Sequence, residues 1–502
     1  MKLFFISLLL WCICLNIQAQ SLAINSDGST ADASAMLEVK STVKGMLVPR
    51  MSKAQKNAIA VPATGLLIYQ DAPDSTGFYY FNGSSWLWLA AASNISGWST
   101  IGNAGTDTSV NFIGTTSNMP LRFKVNNQWN GQFEPAKSNY FIGNNAGVAN
   151  TTGIVNTGFG SLVLSGNTTG NFNTAFGCGT LLSNITGSSN VGIGNTTLAN
   201  HKSGDNNVAV GSNAMNGDTT GIENVSLGAF SMFNGKRSTG NTAVGTYALS
   251  NTGVNRSGFS DGDYNTAIGH NASNSMKRGY NNVAVGANAM QQDTLGFGNV
   301  MLGSYAGIGH IGGQSNVAIG YFAFSGNTKG NNKIAIGKNA LNNDSSANGN
   351  IAIGNLAMFV NRRGLNNVAV GVSALYGNIS GSRNVAIGDS ALFNNNFLVS
   401  SGNHFTSNTA IGYKSLFSNN PSAATNGNNN TAVGSEALLA NSTGRNNVAF
   451  GAAAGLGNTT AESNTFIGVQ SGSANTTSSN NSYLGKDAGL NATGSSNTFI
   501  GQ

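Results

Sequence analysis

Charge is scarce in this 502-residue chain: Asp, Glu, Lys and Arg together make up 8% of it, well below the quarter usual in a globular domain. The net charge of +6 is spread over the whole length, too dilute for phosphate-backbone binding, so no nucleic-acid partner is expected. Three cysteines are present, and Cys12 and Cys14 fall in the leader described next, leaving Cys178 alone. An intramolecular disulfide is thereby excluded. Beyond the leader no apolar run approaches the length of a transmembrane helix. From residue 141 onward only 11 carboxylates occur, most of them single. Polysaccharide cleavage needs converging acids, so an enzyme is not expected. His201, His270, His310 and His404 lack metal-ligand spacing. Asp261-Gly262-Asp263 reads as a solvated loop rather than a calcium site. Gly307-Ile308-Gly309-His310-Ile311-Gly312 spells a dinucleotide fingerprint without the strand-to-helix context that gives it meaning. No catalytic residue, metal or cofactor is assigned.

The N-terminal stretch from Met1 to Ala19 has the grammar of a secretory signal. Lys2 supplies the positive start, Leu3 to Leu15 the apolar core, and Ile17-Gln18-Ala19 the cleavage site. Trp11 before Cys12 disfavours lipidation. The expected destination is the outside of the cell.

What the chain has in place of charge is glycine, 68 residues of it, together with Asn, Ser and Thr. Such a composition alone is compatible with disorder, but the apolar residues are strictly spaced. Between Phe141 and Gln502 a phrase of the form Asn-x-Ala-Ile/Val-Gly recurs twenty-one times. Its closing glycines usually keep the seventeen-residue step that separates Gly194, Gly211 and Gly228. Counting each unit from its closing glycine as zero, position −1 is always apolar, as in Ile142, Val210, Ile319 and Ile500. Position −4 is Asn in every unit but one, where Lys333 stands, and position −2 is usually Ala. Alternation along the phrase predicts a β-strand with −3 and −1 on one face and Asn, Ala and Gly on the other. A second apolar pair at +3 and +4, such as Ala214-Met215 and Ala340-Leu341, predicts a second short strand. A second glycine at −7, as in Gly187, Gly204, Gly313, Gly381 and Gly444, is expected to need positive φ.

A fixed period of this size marks a solenoid whose coils pack only on their neighbours. Stacked at about 4.8 Å, the −4 amides form a ladder. Each coil offers few large apolar side chains, so burial against further copies is expected, with the Ala/Gly face suited to close approach. At −2 the residue becomes aromatic in the first coil (Phe141) and in the last ones (Phe466, Tyr483, Phe499); these are expected to plug or broaden the ends of the roll. The chain stops one residue past a repeat glycine, which leaves a truncated product open.

Residues 20–96 form a different module. Lys53 to Ala60 is expected to be a short helix, Gly65 to Tyr69 a strand, and Phe78 to Phe81 with Trp86 to Leu89 a hairpin on Asn82-Gly83. Tyr79, Tyr80, Trp86 and Trp88 are read as hairpin packing rather than as a sugar platform. Residues 97–140, with Asn111-Phe112-Ile113-Gly114 as an imperfect copy of the phrase, make a neck before the repeats of 141–502.

Phrases such as Asn207-Val208-Ala209-Val210-Gly211 followed by Ala214-Met215 resemble the YadA-like head repeats of trimeric autotransporter adhesins. That resemblance implies an all-β, parallel, left-handed β-roll forming a homotrimer at the surface of a Gram-negative bacterium. The step from one closing glycine to the next is longer here than in that family, and no coiled-coil stalk or barrel anchor is seen. The module of residues 21–96 resembles N-terminal modules of secreted bacterial and phage tail-fibre-like proteins. The function implied is a secreted or cell-surface adhesin-like structural protein; a phage-tail-fibre-like receptor-binding protein is the alternative, and a polysaccharide-acting β-helix the third reading.

One pattern points to a ligand. Basic residues recur at +8 and +9: Lys202, Lys236, Arg237, Lys277, Arg278, Lys329, Arg362 and Arg363. Equal offset in a solenoid means equal corner, so they are expected to share one edge. The three lengthened coils, carrying Asn251–Asp261, Phe393–Phe405 and Phe417–Gly427, place their extra residues near it. The partner expected there is an acidic polysaccharide, lipopolysaccharide or a host or matrix surface. Solubilising charge on exposed turns is the competing explanation.

Overall fold

The computed structural model describes residues 21–71, 75–89, 107, 109, 111–254, 261–326, 329–344, 347–396 and 404–502. The leader expected at 1–19 and residues 97–106, 108 and 110 of the expected neck lie outside them. The chain divides into two units at Ile113–Gly114.

In the first unit, Leu22–Asn25 pairs in parallel with Leu37–Lys40. A second sheet runs Arg50–Met51, Leu67–Gln70, Gly77–Phe81, Trp86–Trp88, the last two as the expected hairpin. The Asn82 side chain accepts from the amides of Ser84 and Ser85 and so closes its turn. The helix is real but short, Lys53–Asn57, started by a capping box in which Ser52 and Gln55 bond each other's backbone.

The second unit opens with an antiparallel meander, Leu121–Val125, Gln128–Glu134 and Asn139–Ile142. Its last strand is also the first rung of the solenoid. Twenty more three-residue rungs follow, from Thr157–Phe159 to Thr498–Ile500, each parallel to the one before. Val208 stands beside Val225, its counterpart one coil on. The lengthened coils keep this register: Thr242 pairs with Thr266, Val385 with Thr409, and Thr409 with Thr431. The all-β solenoid of 17-residue coils is therefore what the repeat encodes.

Three expectations are corrected by the coil. The first concerns the +3/+4 pair, which is not a strand. Neighbours in a strand face opposite ways, whereas Ala214 and Met215 are both fully buried. Left-handed backbone at Asn213 (φ 57°) and Met215 (φ 51°) turns both inward, and the turn stacks on the next coil through bonds such as Met215 N to Ser231 O at 3.0 Å.

The second correction concerns which strand face is inside. Ala209, Ala243, Ala318 and Ala386 at −2 are fully buried in the core, while the larger residues at −1 point out. Small residues fill the interior because the +4 Leu or Met crosses most of the narrow coil. The Ala face is thus not the one left for partner chains.

The third correction concerns most of the −7 glycines: Gly262, Gly330 and Gly427 have the expected positive φ, but Gly187, Gly204, Gly313, Gly381 and Gly444 do not. The constraint on these five is space: a Cβ on Gly187 would lie 2.4 Å from Asn184 Oδ1 and 2.5 Å from the Gly204 carbonyl oxygen. The closing glycine carries both constraints, with φ 132° at Gly211 and a would-be Cβ 2.6 Å from the Gly228 carbonyl.

The core also resolves the aromatic −2 positions. Phe141, Met301, Phe466 and Tyr483 each share a coil with glycine at +4, namely Gly147, Gly307, Gly472 and Gly489, where most coils have Leu, Met or Phe. A Cβ on Gly472 would lie 2.5 Å from the Phe466 ring, and one on Gly307 2.8 Å from Met301 Sδ. In these coils volume moves from one wall to the other, as dense packing demands, and where Ala449 shares a coil with Gly455 the space is taken by Phe466 of the next coil, 2.7 Å from a would-be Cβ. The same trade runs between −2 and +3, where Gly158 faces Val163. Phe141, Phe466 and Tyr483 are thus accommodated inside the coil, while Phe499 in the last rung stacks on Tyr483 with centroids 5.4 Å apart.

Candidate assembly and binding surfaces

Two amide ladders line the interior of the roll. In the expected one, at −4, Asn207 Nδ2 donates to Asn190 Oδ1 at 3.0 Å and to the Gly221 carbonyl at 2.8 Å. Its own Oδ1 accepts the backbone N–H of Asn224 at 3.1 Å. A second ladder runs at +7: Asn167 donates to Asn150 at 2.9 Å, Asn184 to Asn167 at 2.7 Å, and Asn378 to Asn361 at 2.8 Å. The asparagines at 150, 167 and 184 already displayed this column at the repeat period, but without a turn geometry nothing pointed them inward.

Midway along, the +7 column becomes ionisable. His201, Asp218, Asp293, His310 and Asp344 are all fully buried. His310 Nδ1 lies 2.6 Å from Asp293 Oδ2. Burial raises the Asp218 carboxyl, opposed first by His201. Asp344 faces Lys333, the lone exception of the −4 ladder, at 3.1 Å with both side chains sealed from solvent. Burial pulls the Lys333 amine down and pushes the Asp344 carboxyl up, each opposed by the other's charge. Two of the histidines first met as scattered residues are thus internal rungs. Of the carboxylates at 261 and 263, Asp261 lies 3.7 Å from Arg278, and Asp263 accepts the Thr239 amide at 2.8 Å.

On the outside, the eight basic residues of the expected edge are all exposed. Stretches of their backbone column are bonded from coil to coil: Ile185 N bonds Lys202 O, Lys202 N bonds Thr219 O, and Lys277 N bonds Thr294 O. Thr and Ile alternate with Lys and Arg along it, so the charges are spaced rather than contiguous. At this edge Arg278 meets Asp261, the last residue of the first insertion. The tips of the first two lengthened coils, 255–260 and 397–403, lie outside the described residues.

The −1 residues make a different surface. Ile142, Phe176, Ile193, Ile319, Ile387 and Ile411 are each 36–43% exposed, and the in-register rungs line them up one above the next. Phe159 and Phe176 stack within this row, 5.3 Å apart and 4° from parallel. A contiguous apolar strip of this length marks an interaction surface. The first unit is also rich in uncovered apolar side chains, among them Met36, Val43, Leu47 and Val61 at 74–89% exposure. Among its described residues the sealed cation is Lys56, 3.7 Å above the Tyr79 ring, where burial lowers the amine. Tyr79 is buried and Trp88 is largely exposed, so the hairpin aromatics divide between packing and surface.

A first unit with little core of its own and a long solenoid with an apolar flank together define a structural fibre protein. Residues 23–104 match the family model of a phage tail like trimerisation region, and that match supports a homotrimer. No curated protein and no solved structure matches the chain. Among the described residues no helix is long and apolar enough to cross a membrane.

Proposed function

We propose that the protein is a non-enzymatic trimeric fibre, carried outside the cell by its leader and acting in adhesion to a surface, glycan or matrix. The trimerisation-region match, together with the uninterrupted −1 strip, carries this reading. Three rolls meeting along that strip cover it. A rung that leaves roughly 0.5–1 kcal/mol of apolar burial unclaimed contributes little alone. Summed over the rungs this is on the order of 10–20 kcal/mol, which exceeds or matches the roughly 4–15 kcal/mol of freedom lost on association. The Ala face cannot serve, because it is the core. The +8/+9 edge is then displayed three times over the length of the fibre, and weak contacts to an acidic polysaccharide or lipopolysaccharide add by avidity.

A second reading, a phage-tail-fibre-like receptor-binding protein, is favoured by the name of the matched region and shares the same architecture. The likeness to YadA-like head repeats, with its Gram-negative surface, belongs to the first reading and rests on the repeat phrase alone.

Light scattering with small-angle X-ray scattering on residues 20–502 tests the assembly. A mass three times that of the chain in an elongated particle is expected, and a monomer would overturn it. Replacing Lys202, Lys236, Arg237, Lys277, Arg278, Lys329, Arg362 and Arg363 by Ser should abolish salt-sensitive retention on acidic glycans. Unchanged retention removes the edge from the mechanism.

A further inference from the structure

The −4 ladder breaks once, at Lys333, and the break meets a break in the +7 ladder, at Asp344. Two asparagines would satisfy both columns, as Asn350 and Asn361 occupy them in the following coil. An ion pair in their place is costly, because each charge forfeits hydration that its partner only partly restores. The geometry around the pair is unusually complete. Lys333 Nζ stands 3.1 Å from Asp344 Oδ1, and neither side chain is accessible to water. Phe324 covers the amine with its ring centroid 5.1 Å away. Gly330 leaves the space the amine occupies, since a Cβ there would come within 2.5 Å of Nζ. Asp344 Oδ1 also accepts the Ala347 amide at 3.1 Å. Oδ2 accepts from two side-chain amides, Asn350 at 3.1 Å and Asn361 at 3.3 Å.

We propose that Lys333 and Asp344 condense spontaneously to an isopeptide bond, an internal cross-link that ties one coil of the roll across its core. Moving one proton from the ammonium to the carboxylate gives a neutral amine beside a neutral acid, the pair of forms that a dry site favours. Nζ attacks Cγ, and the N–C bond forms as the π pair moves onto Oδ2. The Asn350 and Asn361 amides stabilise that developing oxyanion. Oδ1, already carrying one proton, takes a second from the attacking nitrogen and departs as water when its bond to carbon breaks. The products are a secondary amide and one water, with no oxidant, cofactor or external nucleophile. Fixing the two groups in contact supplies an effective concentration on the order of 10⁵ M or more, and the absence of solvent opposes hydrolysis.

The test is the mass of the intact, denatured full-length chain, followed by tryptic peptide mapping. The cross-link makes the protein lighter by one water, blocks trypsin at Lys333, and yields a branched peptide joining Lys333 to Asp344. Succinimides at Asp27-Gly28 or Asp261-Gly262 would lose the same mass, so the branched peptide is the deciding signal. Lys333→Asn should give the unreduced mass. The pair Lys333→Asn with Asp344→Asn restores the ladder residue at both positions and guards against a misfolded control. Asp344→Asn alone offers the amine a carboxamide, and its linked product, formed with loss of ammonia, has the same mass as linked wild type. Cleavage after Lys333 with the two side chains unlinked in the folded wild-type protein overturns the proposal.

Discussion

Exchange of volume between positions −2 and +4 makes a prediction that a single coil can decide. Met301 is fully buried, and Gly307, with φ 62°, lies against its thioether. Met301→Ala removes most of a buried side chain and should cost about 2–5 kcal/mol through lost transfer energy and the cavity left behind. Gly307→Leu drives its Cβ to 2.8 Å from Met301 Sδ and 3.2 Å from Cγ. That overpacking costs about 1–3 kcal/mol, with about 1 kcal/mol more for a branched residue in left-handed backbone. The double variant recreates the pairing seen one coil type over, where Ala369 faces Leu375 at φ 53°. It should therefore lie within about 1–1.5 kcal/mol of wild type, a coupling of at least about 2 kcal/mol between the two sites. Solenoids open locally, so hydrogen exchange at the amides of Val300 and Gly307, bonded to Asn316 and Ala323, is the assay. Additive losses in the double variant would refute the idea that the coil conserves its filling.

Three further outcomes are expected. Asn367→Ala should destabilise by about 2–4 kcal/mol, because it deprives the Gly381 carbonyl and the Asn384 amide of partners at 2.9 Å each; a change below about 1 kcal/mol by chemical unfolding would mean the ladder is ornamental. Tyr483→Phe should be neutral or stabilising by about 1 kcal/mol, since the phenol is buried with no hydrogen-bond partner for its oxygen; a clear drop in melting temperature contradicts this. In the first unit, bonds from the Ser29 side chain and from Lys40 hold Asp27 down at about 2. A depressed carboxyl stabilises above its unfolded value of 3.8 and loses that contribution as pH falls toward 2, so the carboxyl signal of Asp27 in an NMR titration should move near pH 2, and a midpoint near 4 would show the turn is not formed.

The sequence made the rungs legible because a strand's side chains alternate and the repeat fixes which columns coincide. It named every −4 rung and every three-residue strand of the main ladder, but not the small parallel pair Gly381–Ser382 and His404–Phe405. Which face was interior could not be read from alternation, which groups Ala209 apart from Val208 and Val210 without saying which side is narrow. Size is a misleading cue: it favours the larger residues inward, while the coil's interior is set by the turn that brings Met215 across it. That turn depends on left-handed Leu and Met residues, a conformation no local preference announces. The +7 ladder was hidden for the same reason. The eight basic residues can be grouped by offset from the period alone, and all eight are exposed. Lys333 was noticed as an exception, but its partner Asp344 is invisible until the +7 column is known to point inward.

The closing glycines carry a consequence beyond their own coils. Each is held by contact with the carbonyl one rung on, as Gly337 is with Gly354 and Gly354 with Gly371, so no rung refers to anything further away than its neighbour. The fibre's reach is therefore quantised. Duplicating or deleting one repeat unit at the gene level lengthens or shortens the rod by a single step and leaves every surviving contact of the same kind. Point substitutions at the glycines have no such freedom. A lineage carrying this fold can explore length readily while its cross-section stays frozen.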